Sequence, residues 1–130
     1  MKQIIYLDDD PNDIEALSLV FSERDDYDLV CFGNVDPLFE HIRQNGEKVR
    51  LIILDQNMPE MSGIDVLKEI RGRFPALRIP AILFSTGLSP ENADHASELE
   101  GVAIEKPATI NDLRRTVVVM IRFCEDHTSD

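Results

Sequence analysis

An α/β fold, with helices on both faces of a doubly wound parallel sheet, is predicted by three features of this 130-residue sequence. Five short apolar runs alternate with segments of helical periodicity from one end to the other. The run Leu51-Ile52-Ile53-Leu54 is apolar without alternation, as a strand buried on both faces must be. Three of the helical segments open on an acceptor residue followed by proline. Strand–helix alternation of this kind forces parallel strands joined by right-handed crossovers.

The elements follow in order. Ile4-Ile5-Tyr6-Leu7 reads as the first strand. The first helix has Asp10 as its N-cap, Pro11 at its first position and Ile14/Leu17/Phe21 as its core stripe. Leu29-Val30-Cys31-Phe32 is the second strand, and Asp36-Pro37 is expected to open a helix carrying Leu38 and Ile42 inward. Leu51 to Leu54 form the third strand. Gly63 is expected to permit the turn into a helix with Ile64/Leu67/Ile70 at its core. Ala81-Ile82-Leu83-Phe84 form the fourth strand. A weaker helix then opens at Ser89-Pro90, with Ala93, Ala96 and Leu99 as its only apolar stripe. Val102-Ala103-Ile104 make the fifth strand. Thr109 and Asp112 resemble a capping box before a last helix with Ile110/Leu113/Val117/Ile121/Cys124 inward. That helix is apolar on more than one face through Val117-Val118-Val119-Met120-Ile121, so Val118 or Val119 is expected in a partner or homodimer surface.

Composition narrows the function classes. The length suits one domain over residues 1–130, with no separate output domain expected. A formal net charge of −12 argues against nucleic acid or an anionic membrane as a direct partner, because phosphate backbones reward Lys and Arg. No apolar run approaches the ~20 residues that a membrane span needs. The opening apolar stretch runs into three aspartates, unlike a secretory signal. Cys31 and Cys124 lack metal spacing and suit a reducing cytoplasm.

Chemistry concentrates where strands end. In an open α/β sheet, ligands bind outside the carboxyl ends of the strands, at the switch in strand order. With order 2-1-3-4-5 the first and third strands are neighbours, so Asp8, Asp9 and Asp55 converge. Several carboxylates in one cleft raise one another's pKa unless a cation compensates. Mg²⁺, bound through one or two carboxylates, waters and phosphate oxygens, meets that need. Lys106 and Ser85 face the same cleft from the last two strands. Carboxylates, Mg²⁺, an ammonium and a hydroxyl make a site for a phosphoryl group in transfer. Asp10 reads as a cap, not a ligand, and Met58 and Met61 as loop packing. His41, His95 and His127 read as surface residues outside the site, with His95 open to a partner.

Four motifs in order carry a resemblance. They are the acidic pair after the first strand, Asp55-Gln56-Asn57-Met58-Pro59-Glu60-Met61-Ser62-Gly63 after the third, Ser85-Thr86 after the fourth and Lys106-Pro107 after the fifth. Over essentially its whole length the chain resembles the receiver domain of two-component response regulators, which implies a flavodoxin-like fold. The resemblance implies Asp55 as phosphoacceptor, a carboxylate nucleophile taking phosphoryl from a kinase histidine. It also implies Asp9 and Asp55 as direct Mg²⁺ ligands, with the backbone carbonyl of Asn57 as a third and Asp8 acting through water. By the same resemblance Lys106 contacts phosphoryl oxygens, Ser85 is a switch hydroxyl, and Pro107 is a cis-proline shaping the loop that presents Lys106.

Two positions depart from the pattern. Ala103 stands where receivers carry Tyr or Phe three residues before the lysine, so the aromatic part of the switch is absent. Thr86 stands where a smaller residue is usual and is expected to narrow the path of the water that attacks the acyl phosphate. Thr86→Ala should therefore speed loss of the phosphoryl group; the half-life of the phosphorylated chain checks this.

The expected function is that of a stand-alone response regulator, a signalling domain that catalyses only its own phosphorylation and dephosphorylation. It would be phosphorylated by a sensor histidine kinase or a histidine phosphotransfer protein and would act on an unknown protein target. A phosphate shuttle or sink is the nearest alternative, given Ala103. A haloacid-dehalogenase-type phosphohydrolase using Asp8 as nucleophile is a more distant one. It leaves the Asp55 loop unexplained and lacks a late acidic pair at a strand end.

Overall fold

The computed structural model describes residues 2–127. The alternation resolves into β1 (Gln3–Leu7), α1 (Pro11–Ser22), β2 (Asp28–Phe32), α2 (Val35–Asn45), β3 (Val49–Asp55), α3 (Gly63–Arg73), β4 (Ala81–Ser85), α4 (Pro90–Glu98), β5 (Gly101–Glu105) and α5 (Ile110–His127). A short 3-10 turn, Gly46–Lys48, leads into β3. The strands pair in parallel in the order β2-β1-β3-β4-β5, the expected 2-1-3-4-5 arrangement.

Each strand sends alternate residues to opposite faces, and the faces are covered by different helices. Ile4, Tyr6, Leu51 and Ile53 pack under α1 and α5, while Ile5, Leu7, Ile52 and Leu54 pack under α2 and α3. All eight side chains are fully buried. Burial of each large apolar side chain is worth about 1.5–3 kcal/mol, so β1 and β3 anchor the sheet. β3 lies between β1 and β4 and carries Asp55 at its carboxyl end. No helix among the described residues is long and apolar enough to cross a membrane.

Three helix starts are capped by the residues the sequence marks. Asp10 accepts from the Asn12 N–H at 2.9 Å, Ser89 from Asn92 at 3.1 Å, and Thr109 from Asp112 at 3.1 Å. The Asp112 carboxylate engages Arg115. At the second helix the expectation fails: α2 begins at Val35 after Asn34, not at Pro37 after Asp36. Val35 packs against the apolar face beneath α2 and draws the start of the helix forward. Pro37 is tolerated in the first turn, where backbone N–H groups lack helical partners anyway.

Other expectations need correction at the ends of elements. Ile110, the first residue of α5, is 36% exposed, while Met120 is buried. Ala93 is exposed, so α4 meets the core through Ala96, with Leu99 half-buried. His41 is half-buried, its Nε2 2.7 Å from Gln3 Oε1 and its ring 5.3 Å from that of Phe32. Burial lowers its pKa. His95 and His127 are exposed, as are Val118 and Val119 on α5.

Candidate functional site

The buried polar or charged side chains among the described residues are Asp8, Asp55 and Ser85, and all three stand at carboxyl ends of strands. Sheet register explains the gathering. Leu7 pairs with Leu54, Asp55 with Phe84 and Ser85 with Glu105, so the tips of β1, β3, β4 and β5 end at one level. The Lys106 N–H then donates to the Ser85 carbonyl at 2.8 Å and carries the lysine over the cleft.

Asp8, Asp9 and Asp55 each place a carboxylate oxygen within 4.8 Å of the others, as predicted. Asp9 is exposed, whereas Asp8 is fully buried and Asp55 nearly so. Lys106 Nζ sits among the acids, 2.8 Å from Asp8 Oδ2, 2.9 Å from Asp13 Oδ2 and 3.2 Å from Asp55 Oδ1. Its side chain is only 10% exposed. Burial opposes the charged ammonium, but hydrogen bonds to Asp8 and Asp13 outweigh it and raise the lysine pKa. At Asp55 burial is the first cause and the Asp8 charge the second; together they push its carboxyl up to about 6 despite Lys106.

The loop after β3 is fixed by its own polar residues. The Ser62 hydroxyl caps α3 by accepting from the Asp65 N–H at 3.2 Å, and Gln56 Oε1 accepts from Ile64 N–H at 3.0 Å. Asn57 donates its backbone N–H to Asp55 Oδ1 at 3.3 Å and its side-chain amide to Ser85 Oγ at 3.0 Å. Ser85 Oγ donates onward to the Thr86 carbonyl at 3.1 Å, and Thr86 itself is exposed at the lip. Met58 and Met61 pack against the apolar face under α2 and α3.

Gly63 does more than allow a turn. A Cβ there would lie 2.6 Å from the Asp55 carbonyl oxygen and 2.7 Å from Leu83 Cδ1. The glycine therefore lets α3 start against the backbone of Asp55 itself. Gly63→Ala is expected to cost about 1–3 kcal/mol, as overpacking typically does, measured by urea unfolding.

Two further departures concern the last strand. Pro107 was expected in the cis form, yet no cis peptide bond occurs among the described residues. Trans is the lower-energy isomer by about 0.5–1 kcal/mol, and Lys106 reaches the acids from it. Ala103 pairs with Leu83 and packs beside Ile64 and Ala96, a small contact where the pattern has a ring.

Three groups at the site were not expected. Asp13 binds Lys106 from the first turn of α1, one turn beyond the Asp10 cap; that spacing was the available signal. Tyr6 donates its hydroxyl to Asp8 Oδ2. A phenol two residues before an acid on one strand shares its face, which was legible. The Asn57 amide contact to Ser85 depends on loop conformation and left no sequence signal.

The donor set suits a hard divalent ion: oxygens only, from three convergent carboxylates, two of them buried. Four aspartates against one lysine leave excess negative charge when all are ionised. Within that excess the Asp8 charge is the second cause, after burial, of the raised Asp55 carboxyl.

A family model described as the response regulator receiver domain matches residues 4–118. The chain is 28% identical over 123 residues to the response regulator receiver protein CpdR of Brucella abortus, covering 93% of this chain and 98% of that protein. It spans only 14%, 36% and 19% of the length of three longer curated relatives. Among solved structures, the phosphorylated cyanobacterial phytochrome response regulator RcpA aligns with a TM-score of 0.82 at 26% identity, covering 98% of this chain and 96% of that one. The Mn²⁺-bound form of response regulator Rcp1 aligns with a TM-score of 0.75 at 26% identity, covering 90% and 89%.

Proposed function

Because the chain belongs to the response regulator receiver domain family, we propose that Asp55 accepts a phosphoryl group from a histidine kinase or histidine phosphotransfer protein. The phosphorylated chain then acts by binding another protein. The observation that carries this reading is the buried Asp55 carboxylate, grouped with Asp8 and Asp9 and 3.2 Å from the Lys106 ammonium.

In the transfer, an Asp55 carboxylate oxygen forms a bond to phosphorus as the phosphorus–nitrogen bond of phosphohistidine breaks. The imidazole leaves with the electron pair, and an acyl phosphate remains. A Mg²⁺ ion held by Asp8, Asp9, Asp55 and the Asn57 backbone carbonyl, with Asp8 acting through water, would neutralise charge on the phosphoryl oxygens. Lys106, already paired with Asp55, is placed to pair with a phosphoryl oxygen once one is attached. Ser85 would exchange the Thr86 carbonyl for the same group.

The small contact at Ala103 favours a second reading, a phosphate shuttle or sink, because no ring is present to carry the change toward α4 and α5. Val118 and Val119 offer α5 as a partner or homodimer surface. A phosphohydrolase using Asp8 is disfavoured, since that carboxylate is fully buried with both oxygens engaged.

Incubation with acetyl phosphate and Mg²⁺, read by intact mass, tests the proposal. The wild type should gain one phosphoryl group, which chelation of the metal and Asp55→Asn should each abolish. Retention of the adduct in Asp55→Asn, with loss in Asp8→Asn, would make Asp8 the nucleophile.

A further inference from the structure

We infer that Tyr6 is a positioning residue whose phenol satisfies Asp8 in the metal-free site and so limits how tightly the site binds a divalent cation. The inference rests on the magnesium reading of Asp8, Asp9 and Asp55 given above.

Asp8 is fully buried, and its oxygens are already supplied with donors. Oδ1 accepts from the Asp10 N–H at 2.9 Å, and Oδ2 accepts from Lys106 Nζ at 2.8 Å and from the Tyr6 hydroxyl. A carboxylate has about four lone-pair sites, so three donors leave it little free capacity. Tyr6 is itself fully buried, in a strand whose other inner residues are aliphatic. A buried phenol needs a partner, and Asp8 is the one it has. The Tyr6 ring sits edge-on to Phe84, centroids 6.3 Å apart at 63°, which fixes the direction of its hydroxyl.

The consequence follows from a thermodynamic cycle. A hydrogen bond to a free carboxylate is stronger than one to a carboxylate that also serves a cation, directly or through water. Tyr6 therefore stabilises the metal-free state more than the loaded one. Phenylalanine would fill the same space without the donor, leaving Asp8 one hydrogen bond short until a cation, directly or through a water it holds, takes the donor's place.

Magnesium chloride alone, titrated calorimetrically into metal-free protein, tests this together with thermal unfolding in chelator. Tyr6→Phe is expected to bind Mg²⁺ about three- to tenfold more tightly, a fraction of the strength of a hydrogen bond to a charged group. Its metal-free melting temperature should fall. A purely packing role predicts the fall in melting temperature with equal or weaker metal binding. In an Asp8→Asn background the same substitution should leave Mg²⁺ affinity unchanged. Tyr6→Leu, matched to the aliphatic neighbours, should repeat the gain seen with Tyr6→Phe. Equal or weaker binding by both variants, or an undiminished gain with Asp8→Asn, overturns the inference alone. A wild type that binds no magnesium overturns this inference and the metal reading together.

Discussion

Lys106→Met is expected to cost the metal-free protein about 3–5 kcal/mol at pH 7, the range for removing one partner from a buried ion pair. The ammonium lies within 3.2 Å of three carboxylates, two of them buried, and no other cation reaches them among the described residues. Methionine keeps the stem's apolar packing and deletes only the charge. The pH dependence has a definite sign. Because the folded lysine's pKa is raised, its contribution is complete below the ordinary lysine value of about 10.4 and is lost only above it. The lysine therefore stays charged throughout the neutral range, and any change in its contribution there comes from its carboxylate partners. The variant's deficit should shrink as pH falls through 6, where the Asp55 carboxyl takes up a proton instead. Added Mg²⁺ should recover part of the loss by mass action. Urea unfolding with chelator and with Mg²⁺ measures both effects. A deficit that ignored pH and metal would mean that the lysine acts by packing.

Asp55→Asn should do the opposite and stabilise the metal-free fold. The Asp55 carboxyl is pushed from an ordinary 3.8 to about 6, first by burial and then by Asp8. The difference of roughly two units corresponds to about 3 kcal/mol at most. A carboxyl with a raised folded pKa costs stability only where it is ionised. The penalty is absent below about pH 4, grows between 4 and 6, and is complete at pH 7. The amide variant should therefore match the wild type in acid and exceed it by about 1–3 kcal/mol at neutral pH. Lys106 keeps Asp8 and Asp13 in the variant, so no new orphan charge is created. Saturating Mg²⁺ should remove the advantage, since the wild type alone keeps the full carboxylate set.

The same local tension separates what the sequence made legible from what it did not. Strand order and the meeting of Asp8, Asp9 and Asp55 were readable, because apolar runs buried on both faces leave a parallel sheet few alternatives. Ser85 was readable for the same reason, as the first polar group past a buried strand, whereas Lys106 follows Glu105 after the half-buried edge strand and was legible through the Lys106-Pro107 motif. The start of α2 was misplaced because the pull of Val35 toward the core is a tertiary effect that outweighs a local Asp-Pro signal. Gly63 was read as a turn residue, but its role is contact with the Asp55 carbonyl, which no local rule contains. The Pro107 isomer was read from the resemblance alone, and among the described residues the bond is trans. Tyr6 was counted as core, and it is core; its hydroxyl matters only because Asp8 lies two residues on.

Asp55 is the proposed acceptor of phosphorus, and reductive trapping tests that assignment directly. Borohydride reduces an acyl phosphate to the corresponding alcohol, so protein treated with acetyl phosphate and Mg²⁺ and then reduced carries the mark of its nucleophile. Peptide mass mapping should find homoserine at position 55. Homoserine at position 8 or 9, or at no aspartate in a chain that had gained phosphoryl mass, would contradict it.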